Sequence, residues 1–158
     1  MKEVAHAYGK ERLSEVEPLA FYEKIHTLDV PSIAKTRALH FFGEQERVER
    51  AKQAILTQNL DWFLELEKAG QLSQMALLHN VMIGQQYELS PLEAAERIST
   101  FLKRGSVRVM GGGFAGSVIC FIPEEEYIAF EKGVSQFYPR SSWMEVHVPP
   151  CGAHEVKR

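Results

Sequence analysis

Apolar residues recur at helical spacing through residues 1–90 and at alternate positions beyond residue 105. The sequence therefore predicts a helical N-terminal portion followed by a smaller mixed portion. Val16, Leu19, Ala20, Tyr22 and Ile25 form a short amphipathic segment. Asp29-Val30-Pro31-Ser32 reads as a helix entry with proline near the first turn. From Ile33 to about Leu56, the positions Leu39, Phe42, Val48, Ala51, Ala54 and Ile55 predict one long helix. Its other face carries Glu44, Glu46, Arg47, Glu49, Arg50 and Lys52, read as a solvated face of weak intrahelical ion pairs. Asn59 caps a further helix reaching about Leu78, with Trp62, Phe63, Leu66 and Ala69 on its core stripe. Residues 80–88 read as irregular.

Ser90-Pro91-Leu92-Glu93 is a helix start, with serine as cap, proline at the first helical position and an acid two residues on. That helix runs to about Lys103, and Arg104-Gly105 ends it. The period then becomes two. Ser106–Gly111 and Gly116–Ile122 read as strands, and Trp143–Val148 as a third. Between them, Pro123 and three glutamates open a helix with Ile128, Phe130, Val134 and Phe137 as apolar positions, closed by Tyr138-Pro139. This order is an α+β sandwich, with an antiparallel sheet packed on helices behind a helical N-terminal portion.

The candidate chemistry lies between the first two strands, where VRVMGGGFAGSVICFIP places Gly111, Gly112, Gly113 and Gly116 within six residues. A glycine turn brings bare backbone N–H groups close to an anion and adopts positive φ freely. The same spacing also fits a tight strand–turn–strand junction in which the glycines only reverse the chain. Under the anion reading, Gly112 or Gly113 holds positive φ or lies too close to another backbone for a Cβ. Arg108 reads either as an anion contact or as a solvent-exposed strand arginine.

Composition narrows the classes. A chain of 158 residues suits one domain, and a net charge of −3 gives no basic footprint for nucleic acid. No apolar run approaches the roughly 18–20 residues a membrane helix needs, and no secretory leader is visible at the N-terminus. Cys120 and Cys151 are too few and too far apart for a zinc site or disulfide framework. Cys120 reads as a small buried hydrophobe. The six histidines show no H-x-x-x-H spacing, so no metal ligand set is expected. Cytoplasmic localisation is the expectation.

Arg108-Val109-Met110-Gly111-Gly112-Gly113-Phe114-Ala115-Gly116-Ser117 resembles the third signature motif of the GHMP sugar kinases, which in galactokinases runs R-M-T-G-G-G-F-G-G-C. Arg37-Ala38-Leu39-His40 with Glu44-Gln45-Glu46-Arg47-Val48 is similar to the galactokinase helix R-A-R-H-x-x-x-E-N-x-R-V. Pro150-Cys151-Gly152-Ala153 looks like the P-x-G-A segment that closes those chains. The order and spacing of the three agree over roughly residues 30–155. Met110 and Ala115 depart from the pattern. The family's serine-rich segment falls near Ala69–Ser73, of which Ser73 remains.

The resemblance implies the C-terminal half of a galactokinase-like enzyme, with a ferredoxin-like C-terminal domain over 31–158 and a helical linker remnant over 1–30. It implies galactose phosphorylated to galactose 1-phosphate, with ATP and Mg2+ as cofactors of the complete enzyme. The sugar-binding segment, phosphate loop and catalytic Asp of such enzymes lie in an N-terminal half, and none is found here. The expectations are therefore no catalytic residue in this chain, no activity and no tight nucleotide binding alone. An N-terminal kinase half is the expected partner, and self-association is expected. The implied nucleotide- or substrate-proximal set is Arg108, Gly111, Gly112, Gly113, Phe114, Ala115 and Gly116, with Phe114 a packing wedge. Outside this reading stand a non-catalytic ligand-binding or interaction module and half of a GHMP kinase for another small substrate.

Overall fold

Two short helices, α1 (Lys2–Ala7) and α2 (Pro18–Lys24), precede a long one, α3 (Ser32–Leu56). The computed structural model describes residues 1–81, 91–112 and 116–146. α1, α2 and the 3-10 turn Leu13–Glu15 fold onto the first half of α3 around Val4, Leu13, Val16, Phe21, Ile25, Ala34, Ala38 and Phe42. The rings of Phe21 and Phe42 lie 4.7 Å apart at this centre. Phe21 and Ile25, one helical turn apart, carry the inward face of α2. Leu19 and Tyr22, expected on that stripe, are instead exposed because they lie round the helix from Phe21. Val48 and Ile55 of α3 are likewise exposed, and Ala54 is the buried position in the last turns.

Asn59 caps α4 (Leu60–Ser73), its Oδ1 accepting from the Trp62 N–H at 3.0 Å. The helix does not continue as an α-helix to Leu78. It opens into one π-helical turn, Gln74–Leu78, and stops at His79 in the left-handed conformation with φ 55°. The α4 face against the protein is carried by Leu64, Gly70, Gln71 and Ser73 rather than by Trp62.

α5 (Pro91–Ser99) ends about one turn earlier than the sequence reading. The Lys103 and Arg104 N–H groups then donate to the Glu126 carboxylate at 2.9 and 3.0 Å. This ties the approach to the sheet to the 3-10 turn Glu124–Glu126 that precedes α6 (Tyr127–Val134). Phe130 and Val134 anchor α6, while Ile128 and Phe137 face solvent.

β1 (Ser106–Val109) and β2 (Val118–Phe121) pair antiparallel, Ser106 opposite Phe121 and Val109 opposite Val118. β1 packs against both α4 and α5, so Ser106, Val107 and Val109 are all buried. The α+β arrangement, a small antiparallel sheet on helices, is thus present. Among the described residues the sheet has two strands. The third strand expected over Trp143–Val148 does not appear in residues 143–146, where Met144 and Val146 face solvent with no ladder to join. His147 and Val148 lie outside the described residues.

Candidate functional site

The site is assembled where α3, α4 and β1 meet. His40, Glu44 and Arg47 stand at i, i+4 and i+7 on α3 and therefore share one face. Glu67, Gly70, Gln71 and Ser73 line the facing side of α4. Arg108 of β1 reaches between them, its Nη1 donating to Glu67 Oε2 at 3.1 Å and its Nη2 to Glu44 Oε2 at 3.5 Å. Arg47 Nε donates to the other oxygen of Glu44 at 2.6 Å, and His40 Nδ1 lies 2.9 Å from Ser73 Oγ. Arg108 is thus neither a solvent-exposed strand arginine nor a free anion contact. Its side chain is 21% exposed and its charge is already answered by two carboxylates.

Small residues make this crossing possible. A Cβ on Gly70 would stand 3.2 Å from Arg108 Nη1, and one on Gly43 would stand 3.2 Å from Arg47 Nη2. Glycine inside a helix costs roughly 1 kcal/mol relative to alanine. At Gly70 that cost leaves room for a guanidinium between two helices. The charges read as one solvated face divide accordingly. Glu46–Arg50 and Glu49–Lys52 are exposed pairs on the outer side, whereas Glu44–Arg47 has turned inward.

The polar crossing leads directly to the glycine turn. Gln71 Oε1 accepts from the buried Val109 N–H at 2.8 Å. Asn80 Nδ2 donates to the Gly112 carbonyl at 3.1 Å. Across the sheet, the Met110 N–H donates to the Ser117 carbonyl at 2.9 Å. Positive φ falls at Gly111 (66°) and Gly116 (87°), where any side chain would be strained. It does not fall at Gly112, and a Cβ there would meet nothing within 4 Å. Of the two positions expected to need glycine, Gly112 does not require it, and positive φ is found instead at its neighbour Gly111. Gly113, Phe114 and Ala115 lie outside the described residues. The structure brings Arg108 to the root of the turn and Gly111, Gly112 and Gly116 to its exposed part.

Burial lowers the His40 pKa. Glu44 opposes that shift, while Arg47 and Arg108 reinforce it. Burial in β2 pushes the Cys120 thiol up to about 11, in keeping with a small apolar residue. Among the described residues no group of three His, Cys, Asp or Glu side chains stands ready for a metal ion. No helix there is long and apolar enough to cross a membrane.

Sequence reading missed Glu67, Gln71 and Asn80. Glu67 looked like any charged residue of a surface helix. Gln71 fell within the Ala69–Ser73 segment without being singled out, and Asn80 fell in the stretch read as irregular. For Gln71, a polar residue at a position that the α4 period turns inward was the available signal; Asn80 follows the end of the helix, where no period marks it.

No protein-family profile matches the chain. Its sequence is 27% identical over 159 residues to a galactokinase of Glaesserella parasuis serovar 5 (strain SH0165), covering 98% of this chain and 39% of that protein. It is 27% identical over 154 residues to a galactokinase of Actinobacillus pleuropneumoniae serotype 3 (strain JL03), covering 94% and 38%. The fold is similar to Lactococcus lactis galactokinase solved with galactose, with a TM-score of 0.67 and 25% identity over 85% of this chain and 34% of that one. The chain resembles galactokinases along nearly all of its length and spans about 39% of theirs, consistent with a C-terminal fragment of such an enzyme.

Proposed function

We propose that this chain, similar throughout to a part of galactokinases, supplies the glycine turn of an ATP-dependent sugar kinase that converts galactose to galactose 1-phosphate. The observation that carries the reading is the turn itself. Gly111 and Gly112 are exposed, Gly112 has open space where a Cβ would be, and the root of the turn is fixed by Gln71 and Arg108. Bare backbone of this kind fits a phosphate approached closely. Phosphoryl transfer rests mainly on positioning and on stabilising charge across the phosphoryl oxygens. Gly111, Gly112 and Gly116 would present backbone N–H groups toward the phosphates or the sugar, with Gly113, Phe114 and Ala115 completing the set.

Mg-ATP, when bound, supplies the transferable phosphoryl group and the cation that neutralises its charge. The carboxylates beside the turn, Glu44 and Glu67, already answer Arg47 and Arg108. The reading therefore assigns this chain to the phosphates and not to the metal ion.

Arg108 takes a supporting part, holding β1 to the helices rather than touching nucleotide. The catalytic carboxylate and phosphate loop belong to an N-terminal kinase half. Residues 31–158 form the ferredoxin-like C-terminal domain of the pair, with residues 1–30 as a linker packed on α3, in the cytoplasm. Among the described residues the sheet has two strands, and the outer edges of such a sheet favour self-association or capture of that half. Galactose-dependent consumption of ATP by the purified 158-residue chain tests the proposal: no turnover is expected, and an ordinary kinase rate would refute it.

A further inference from the structure

We infer that Asn80 and Gln71 are positioning residues that hold the glycine turn in one shape, an assignment resting on the reading of that turn as the phosphate-facing element. Both side chains are buried, with 7% and 8% exposure. Each uses one polar atom on the backbone of the β1–turn segment. Gln71 Oε1 takes the Val109 N–H, and Asn80 Nδ2 gives to the Gly112 carbonyl. Their other polar atoms, Gln71 Nε2 and Asn80 Oδ1, are buried with no hydrogen-bond partner among the described residues.

Burying half of an amide unpaired is unfavourable. A core needing only volume at these positions would be served better by leucine or methionine. What the amides add is a second set of ties. The sheet holds the turn from one side, through Met110 N–H to the Ser117 carbonyl. The helical layer holds it from the other, at Val109 and Gly112.

The local helix geometry serves this contact. α4 widens into the π turn Gln74–Leu78, closed by the His79 N–H on the Gln74 carbonyl at 3.0 Å. His79 takes a left-handed conformation, and Asn80 follows directly with its side chain on Gly112. A π turn and a left-handed non-glycine are both unfavourable locally, and both concentrate at functional sites. Gly111 and Gly112, with nothing near their Cβ positions, would otherwise sample many backbone conformations. A turn that presents N–H groups to an anion works best when its shape precedes the ligand.

The test is backbone 15N relaxation on the full 158-residue chain, without nucleotide. Asn80→Asp keeps the shape and removes the N–H donor at neutral pH. Gln71→Leu removes the acceptor, and Gln71→Glu keeps it as the conservative rescue. In the parent chain the Gly111 and Gly112 amides should show order parameters near the rigid value of about 0.85. Asn80→Asp should drop them below about 0.6 while α3 stays rigid. Gln71→Leu should loosen Val109 and Met110, and Gln71→Glu should restore them. Unchanged order at the turn in Asn80→Asp overturns the assignment. If Asn80→Asp unfolds the chain, Asn80→Ser is read in its place. Uniform loss of order in both marks Asn80 as an ordinary core residue and also overturns it. Because no nucleotide enters the measurement, a failed phosphate reading leaves this result standing, and the reverse holds equally.

Discussion

Replacing Gly70 by alanine sets two effects of opposite sign against each other. In a helix, Gly→Ala contributes roughly 1 kcal/mol of stability through backbone entropy. At this position the new Cβ would stand 3.2 Å from Arg108 Nη1, 3.4 Å from Arg108 Cζ and 3.5 Å from Glu44 Oε1. The guanidinium has little freedom to retreat, because Glu67 holds one end at 3.1 Å and Glu44 the other at 3.5 Å. Forcing extra volume into a packed site costs about 1–3 kcal/mol, and a strained hydrogen bond to a charged group adds to it. The steric term wins, and the expected net loss is about 1 kcal/mol. For a chain of this size that is a fall in Tm of roughly 2–4 °C. Gly70→Ala and Arg108→Met, singly and together, form a double-mutant cycle read by urea denaturation. Without the guanidinium, alanine should recover its helical advantage, so the two sites should couple by about 1–3 kcal/mol. Stabilisation by Gly70→Ala of equal size in both backgrounds would refute the argument that Gly70 exists to admit Arg108.

Three further outcomes follow from the same geometry. Gly111→Ala, at φ 66°, should destabilise by about 1–3 kcal/mol, whereas Gly112→Ala should change the melting temperature little; equal effects would contradict the turn as described. The folded chain holds the His40 pKa below its ordinary 6.5, so the unfolded chain binds more protons as pH falls through and below that value. Stability should therefore decline with acid in that range, and His40→Asn should flatten the decline; identical pH profiles would exclude His40 as its source. With the Cys120 thiol raised from 9.0 to about 11, the folded state loses stability as pH rises from 9 toward 11. Near neutral pH the half-buried Cys120, with its raised pKa, should react with a thiol reagent more slowly than a free thiol, and labelling at the free-thiol rate would contradict that shift.

Helices were the more legible part of the fold, because their signals are local. Asn59 capping α4, Pro31 before α3 and the period of α3 itself all depend on neighbours within a few residues. Which residues of a helix face inward depends on what lies across from it. That is why Leu19, Tyr22 and Val48 were misplaced and why Gly70 and Gln71 went unnoticed as packing residues. The π turn after Ser73 had no signature in the sequence. The glycine turn was legible as a turn, yet which of its glycines holds positive φ was not, and Gly111 takes that conformation while Gly112 does not. Arg108 shows the limit most plainly, since two carboxylates 41 and 64 residues away decide whether it is free.

The central claim is that this chain supplies the phosphate-facing turn to a kinase whose catalytic half lies elsewhere. The most direct measurement adds the purified chain to the Glaesserella parasuis galactokinase from which the matching 39% has been removed. Galactose 1-phosphate formation from Mg-ATP is then followed. Neither component alone should turn over, and the mixture should, with Gly111→Val in this chain abolishing the gain. Turnover by this chain alone, or none from the folded mixture, would contradict the account.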